Sequence, residues 1–197
     1  FDPARPLVGM VACLKPQKNP VDFVRAAAFV AGRVPGAQFL LAGDGVLRPA
    51  VEEEVRRSGL GDCFRLLGWR RDVDRIIPCL DVLALTSLWE GLPRVFPQAM
   101  AAGRPVVAYR VDSAPEAVTD GVTGYLVAPG DSAGLAARIT ALLVEPGLAR
   151  RLGAAGRERV AEFDADLMVR KQEELYCRLW GEVSTPVRTP GSRSAAG

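Results

Sequence analysis

The chain has 197 residues, 49% of them apolar and 24% charged, with a formal net charge of +2. That is enough for one domain with a real core and too apolar for disorder, and so small a charge gives no independent footing for nucleic-acid binding. There is no histidine, and Cys13, Cys63, Cys79 and Cys177 form no C-x-x-C pair, which argues against zinc sites and against Ser-His or Cys-His catalysis.

Free, buried thiols in a reducing cytoplasm are expected. No apolar run reaches membrane-span length, and no signal peptide is expected at the start. The opening Phe1-Asp2-Pro3 reads as a cut through a linker, hence a fragment. Arginine greatly outnumbers lysine and is spread along the predicted helices, as solvated faces would be.

Leu7 to Leu14 is short, apolar and partly β-branched: strand one. After the loop Lys15-Pro16-Gln17-Lys18, Asn19 is expected to cap a helix with Pro20 at its first position. Val21, Phe23, Val24, Ala27 and Ala28 give that helix an apolar side. Gln38 to Gly43 is strand two. Asp44-Gly45 turns into a helix from about Leu47 to Ser58, with Val51 and Val55 inward and Glu52, Glu53, Glu54, Arg56 and Arg57 mostly outward. Phe64 to Gly68 is strand three, followed by the loop Trp69-Arg70-Arg71-Asp72 and a short helix through Ile76 and Ile77.

Asp81 to Thr86 is a buried strand with a polar end. Beyond it, Glu90-Gly91-Leu92-Pro93-Arg94 leads into a helix with Pro97 in its first turn, ended by Gly103 and stopped by Pro105. Val106-Val107-Ala108 opens strand five. Ala114 to Val118 is a helical turn and Gly124 to Val127 a sixth strand. Asp131 caps a helix to about Val144, and another runs from Pro146 to Phe163. Residues 164–183 form an amphipathic helix bearing Leu167, Met168, Leu175, Leu179 and Trp180, and residues 184–197 read as a disordered tail. The alternation predicts an α/β fold: a Rossmann-like, doubly wound parallel sheet of about six strands over residues 1–163.

A ligand at the carboxyl ends of these strands would meet four loops. In the first, Lys15 and Lys18 suit a diphosphate, or are two solvated lysines. In the second, Trp69 suits base stacking or plain packing. The third joins the Glu90 carboxylate, the Arg94 guanidinium and a helix N-terminus. Glu90 reads as a ligand contact or as a solvated loop acid. The fourth is Asp112-Ser113-Ala114-Pro115-Glu116. No G-x-G-x-x-G follows strand one, which disfavours a dinucleotide-dependent dehydrogenase.

The stretch from Glu90 to Ala108 resembles the E-x7-E segment of retaining group 1 (family 4) glycosyltransferases of GT-B architecture. Glu90 matches the first acid and Gln98 falls at the second, as an amide. The tail Gln98-Ala99-Met100-Ala101-Ala102-Gly103-Arg104-Pro105-Val106-Val107-Ala108 fits well. The resemblance runs from about Leu7 to Phe163. It implies that Lys18 faces the donor's diphosphate, with Cys13 standing where the family has an arginine, so that Lys15 or Arg94 supplies the missing charge. It implies that backbone groups at Trp69 and Arg70 receive the base, that Gln98 holds the ribose hydroxyls, and that Glu90 contacts the transferred sugar. Pro93 replaces a family glycine and removes one N–H donor. Glu116 matches the acid of a G-x-x-E segment and is read as steadying local structure.

On this resemblance the chain is the donor-binding half of a retaining glycosyltransferase. It would transfer a hexose from a nucleotide-diphosphate sugar to a growing glycan, a lipid or a small molecule, with no cofactor and no metal. Helix 164–183 is expected to pack toward an absent N-terminal, acceptor-binding domain, and the fragment alone to be inactive. No nucleic-acid partner is implied, and peripheral membrane association of the whole enzyme is left open. The rivals are a nucleotide-sugar epimerase of the same architecture, which would want histidines near the phosphates, and a non-catalytic nucleotide- or sugar-binding module.

Overall fold

The computed structural model describes residues 1–183. The expected tail at 184–197 lies outside the described residues. One compact unit covers Phe1–Val160, and a second begins at Ala161.

In the first unit six parallel strands form one sheet in the order β3-β2-β1-β4-β5-β6. They are β1 (Leu7–Val11), β2 (Gln38–Ala42), β3 (Phe64–Gly68), β4 (Val82–Leu85), β5 (Val106–Tyr109) and β6 (Gly124–Val127). The helices are α1 (Pro20–Ala31), α2 (Arg48–Arg57), α3 (Val73–Ile76), α4 (Val95–Ala101), α5 (Ala114–Ala117), α6 (Ser132–Val144) and α7 (Pro146–Arg159). All six expected strands are present, and the doubly wound, Rossmann-like reading holds.

The strands are apolar because helices cover both faces of the sheet. Every residue of β2, β4 and β5 is buried. Phe23 of α1 meets Phe64 of β3 at a ring separation of 5.7 Å, and Phe39 of β2 stacks on the same ring at 6.2 Å. Burying each such side chain stabilises the fold by about 1.5–3 kcal/mol.

β1 ends at Val11 rather than Leu14. Beyond it the chain leaves the sheet to follow the loop after β2: Ala12 N–H donates to the Ala42 carbonyl at 3.0 Å and Leu14 N–H to that of Asp44 at 2.9 Å. The approach demands glycine. A Cβ on Gly43, whose φ is 150°, would lie 1.8 Å from the Ala12 carbonyl oxygen.

Three local expectations are corrected. Cys13, Cys79 and Cys177 are exposed and Cys63 is half-buried, so the thiols are not core groups. Burial pushes the Cys63 thiol up from its ordinary value. Glu54 is buried, because the Arg57 guanidinium folds back onto both its oxygens at 2.8 and 2.7 Å. Asn19 precedes α1 but does not cap it with its side chain, whereas Asp131 does cap α6, accepting from Gly134 N–H at 2.7 Å.

The second unit holds α8 (Ala165–Val183). Asp164 Oδ1 accepts from the N–H groups of Asp166 and Leu167, both at 3.0 Å, which closes its first turn. Met168, Leu175, Tyr176, Leu179 and Trp180 are all exposed on it. Among the described residues no helix is long and apolar enough to cross a membrane.

Candidate functional site

The crossover direction reverses between β1 and β4, which are neighbours in the sheet. In open α/β sheets the crevice outside the strand ends at such a point is where ligands bind. The loops after β1 and β4 flank it, one carrying Lys18 and the other Glu90.

These two side chains meet: Lys18 Nζ donates to Glu90 Oε1. Ser87 Oγ donates to the same oxygen at 2.5 Å. Only 7% of the Glu90 side chain is exposed, so its charge is held by these partners rather than by water. Among the described residues no side chain bonds Oε2, which leaves that oxygen as the free acceptor.

Further bonds fix the backbone around the pair. Leu88 N–H donates to the Gln17 carbonyl at 2.8 Å, and Gln17 Nε2 to the Trp89 carbonyl at 2.9 Å, tying the β4 loop to the β1 loop. From the loop after β5, Asp112 Oδ2 accepts from Glu90 N–H at 2.6 Å and Ser113 Oγ donates to the Gly91 carbonyl. Asp112 holds a left-handed φ of 39°, a conformation asparagine and aspartate tolerate better than most residues.

The other expected residues are spread around the crevice. Lys15, Arg94 and Gln98 are exposed. Arg94 is the residue before α4 and Gln98 lies at the middle of that helix. Pro93 is buried. Glu116 is exposed, and its carbonyl accepts from Arg159 at 3.1 Å, so it serves α5 through its backbone.

Trp69 and Arg70 help line a small cavity of about 160 Å³ together with Val11, Ala12, Cys13 and Val73. Cys13 and the loop after β3 are therefore neighbours. The Trp69 ring is exposed and not a packing element of the core. Arg70 grips Asp72 through two bonds of 2.8 and 2.6 Å. Those bonds hold the Asp72 carboxyl below its usual range and raise the guanidinium of Arg70. Two larger cavities, about 440 and 630 Å³, are each lined by Arg5, Asp81 and Arg104, all of which precede strands. They lie at the opposite, amino end of the sheet.

Several residues behind the site carry no local sequence signal of their role. Thr86 Oγ1 donates to the carbonyls of Lys18 and Asn19 at 3.0 and 2.9 Å. Asp22 Oδ2 accepts from Asn19 Nδ2 at 2.7 Å and from Tyr109 Oη at 2.9 Å, while its Oδ1 accepts from Arg25 at 2.9 Å. Only the charge of Asp22, placed on an otherwise apolar helix face, signalled a buried partner.

A six-stranded parallel, Rossmann-like sheet flanked by helices is a fold of the kind found in GT-B glycosyltransferases. Residues 5–145 match the family described as Glycosyl transferases group 1, and the chain belongs to that family. It is 33% identical over 160 residues to N-acetyl-alpha-D-glucosaminyl L-malate synthase of Bacillus anthracis, an alignment covering 81% of this chain and 42% of the relative. Anabaena HepE, solved in complex with UDP and glucose, superposes with a TM-score of 0.82 at 26% identity, over 88% of this chain and 48% of HepE. The C-terminal domain of LpcC, a group 1 family glycosyl transferase of Francisella tularensis, superposes with a TM-score of 0.73 at 23% identity, over 81% of this chain and 87% of that domain. That last likeness concerns the fold. The chain spans less than half the length of the Bacillus and Anabaena proteins.

Proposed function

We propose that this chain is the donor-binding half of a retaining glycosyltransferase that uses a nucleoside-diphosphate sugar. The observation that carries the reading is the Lys18–Glu90 pair, which brings a cation and a nearly buried carboxylate together at the switch-point crevice of a group 1 chain. HepE, similar over most of this chain, was solved with UDP and glucose bound.

In this reading Lys18 takes the diphosphate, aided by Lys15 and Arg94 from the two flanking loops. Glu90 Oε2 accepts from a hydroxyl of the transferred sugar. Gln98 takes the ribose hydroxyls, donating through its amide nitrogen and accepting through its carbonyl. The base lies against Trp69 and the Arg70 backbone. Cations neutralise the diphosphate as it departs, so the site needs no metal. The acceptor attacks the face the diphosphate leaves, and a leaving phosphate oxygen takes its proton. No protein nucleophile enters, in keeping with a chain that has no histidine. Helix α8, with its exposed apolar residues, packs toward an N-terminal, acceptor-binding domain, which completes the enzyme.

Calorimetry with UDP, GDP and ADP, each with and without EDTA, tests the donor site. Binding of at least one of them, unchanged by chelator, is expected. Binding that requires added Mg2+ overturns the metal-free site, and no binding by any of the three overturns the donor reading.

A further inference from the structure

Lys18 sits at the end of a single 3-10 turn, Pro16–Lys18, directly before Asn19 in a left-handed conformation with φ 42° and ψ 54°. Asparagine tolerates that conformation better than most residues, and here its surroundings also hold it in place. Two buried hydroxyls provide the hold, and each stands where an apolar isostere would fill the same space. Thr86, fully buried at the end of β4, splits its hydroxyl between the carbonyls of Lys18 and Asn19. Tyr109, 1% exposed in β5, directs its hydroxyl to the Asp22 oxygen that also receives the Asn19 amide. Valine and phenylalanine would pack equally well there without carrying a polar group into the core. Both hydroxyls end on the loop that carries Lys18, one directly and one through Asp22.

We propose that Tyr109 and Thr86 are positioning residues that set the direction in which Lys18 meets the donor diphosphate. The inference rests on the donor-site reading above and extends it to residues that touch no ligand. Lys18 Nζ must serve Glu90 in the free site and a diphosphate in the filled one, and a long flexible side chain does both well only from a fixed backbone. The Asp22 carboxylate is itself oriented by Arg25, which also lies 3.7 Å from Glu54. The network therefore reaches from the crevice to α2, and its polar atoms are satisfied along the way.

The test is a double-mutant cycle on nucleoside-diphosphate affinity, read by calorimetry on the chain with whichever of UDP, GDP or ADP binds best. Tyr109→Phe and Thr86→Val each lose one hydroxyl and keep their volume. Each is expected to weaken binding about three- to tenfold, and this loss is expected to vanish when Lys18 is already alanine. Melting temperature, measured in parallel, establishes that each variant is folded. A loss of the same size with and without Lys18, or no loss in either variant, overturns the positioning role. If the wild type binds no nucleoside diphosphate, or Lys18→Ala binds as well as the wild type, the donor reading fails and takes this inference with it. If Lys18→Ala weakens binding but Tyr109→Phe and Thr86→Val match the wild type, only the positioning role fails.

Discussion

Lys18 and Glu90 come from loops 72 residues apart in sequence and share one hydrogen bond across the crevice between β1 and β4. A diphosphate at Lys18 must compete with that bond, while a sugar at Glu90 needs the carboxylate kept in place. The two demands separate in Glu90→Gln. Lys18 is then released from a charged partner, so nucleoside diphosphate without sugar should bind as tightly as in wild type or more tightly. Turnover of the complete enzyme should fall about tenfold to a hundredfold, the cost of a charged hydrogen bond to the reacting sugar. Calorimetry and a transfer assay check the two halves, and unchanged turnover would remove Glu90 from the sugar site.

Cys13 stands where the family resemblance places an arginine, and it is exposed. Cys13→Arg therefore buries no cation. A buried thiol, as expected from the sequence, would have made the same replacement destabilising. The variant should keep its melting temperature and gain up to about 1–2 kcal/mol of nucleoside-diphosphate affinity from a new guanidinium–phosphate contact. If binding is unchanged and Lys15→Ala weakens it, the lysine has taken over the arginine's task.

The contact between the first two loops gives a stability test. Gly43→Ala would place a methyl 1.8 Å from the Ala12 carbonyl, at a φ that L-residues rarely adopt. The loops must separate, at a cost of at least about 2 kcal/mol, which lowers the melting temperature by roughly 4–8 °C. Gly91→Ala, with nothing within 4 Å of the new Cβ, is the control and should change it little.

The six strands were legible because each is a short, mostly apolar run between turn residues, and because strands inside a parallel sheet covered on both faces, such as β2, β4 and β5, are buried along their whole length. Proline and glycine marked α4 at both ends for the same local reason. What stayed hidden was long-range. Nothing near Asp22 announces Tyr109, 87 residues on; the Asp112 loop is expected at the same crevice as Glu90, but the bond it accepts from Glu90 N–H, 22 residues back, is not. Cys13 reads as buried because the apolar run continues to Leu14, whereas the chain leaves the sheet after Val11 to follow the Gly43 loop. Glu54 reads as a surface acid until Arg57 folds over it.

Tyr109 makes the fold sensitive to alkali. Burial first, then the charge of Asp22 and the hydrogen bond to it, raise its hydroxyl well above the ordinary 10.0; Asp131 adds to the rise and Arg25 opposes it. Because the folded value is raised, the contribution to stability is complete below pH 10 and is lost as pH climbs toward the folded value, where the unfolded chain has already released this proton. The slope is about 1.4 kcal/mol per pH unit for one such group. Chemical denaturation in steps above pH 10 should show that decline, and Tyr109→Phe should remove it. An equal slope in the variant would assign the alkaline sensitivity elsewhere.

The central claim is that Lys18 faces the diphosphate of a nucleotide donor in the crevice between β1 and β4. The most direct measurement is the affinity of the wild-type chain and of Lys18→Ala for a nucleoside diphosphate, each compared with its affinity for the matching nucleoside. Lys18→Ala is expected to lose roughly tenfold or more against the diphosphate, as befits a lost charged contact, and nothing against the nucleoside. Equal losses for both ligands, or no loss for the diphosphate, would contradict it.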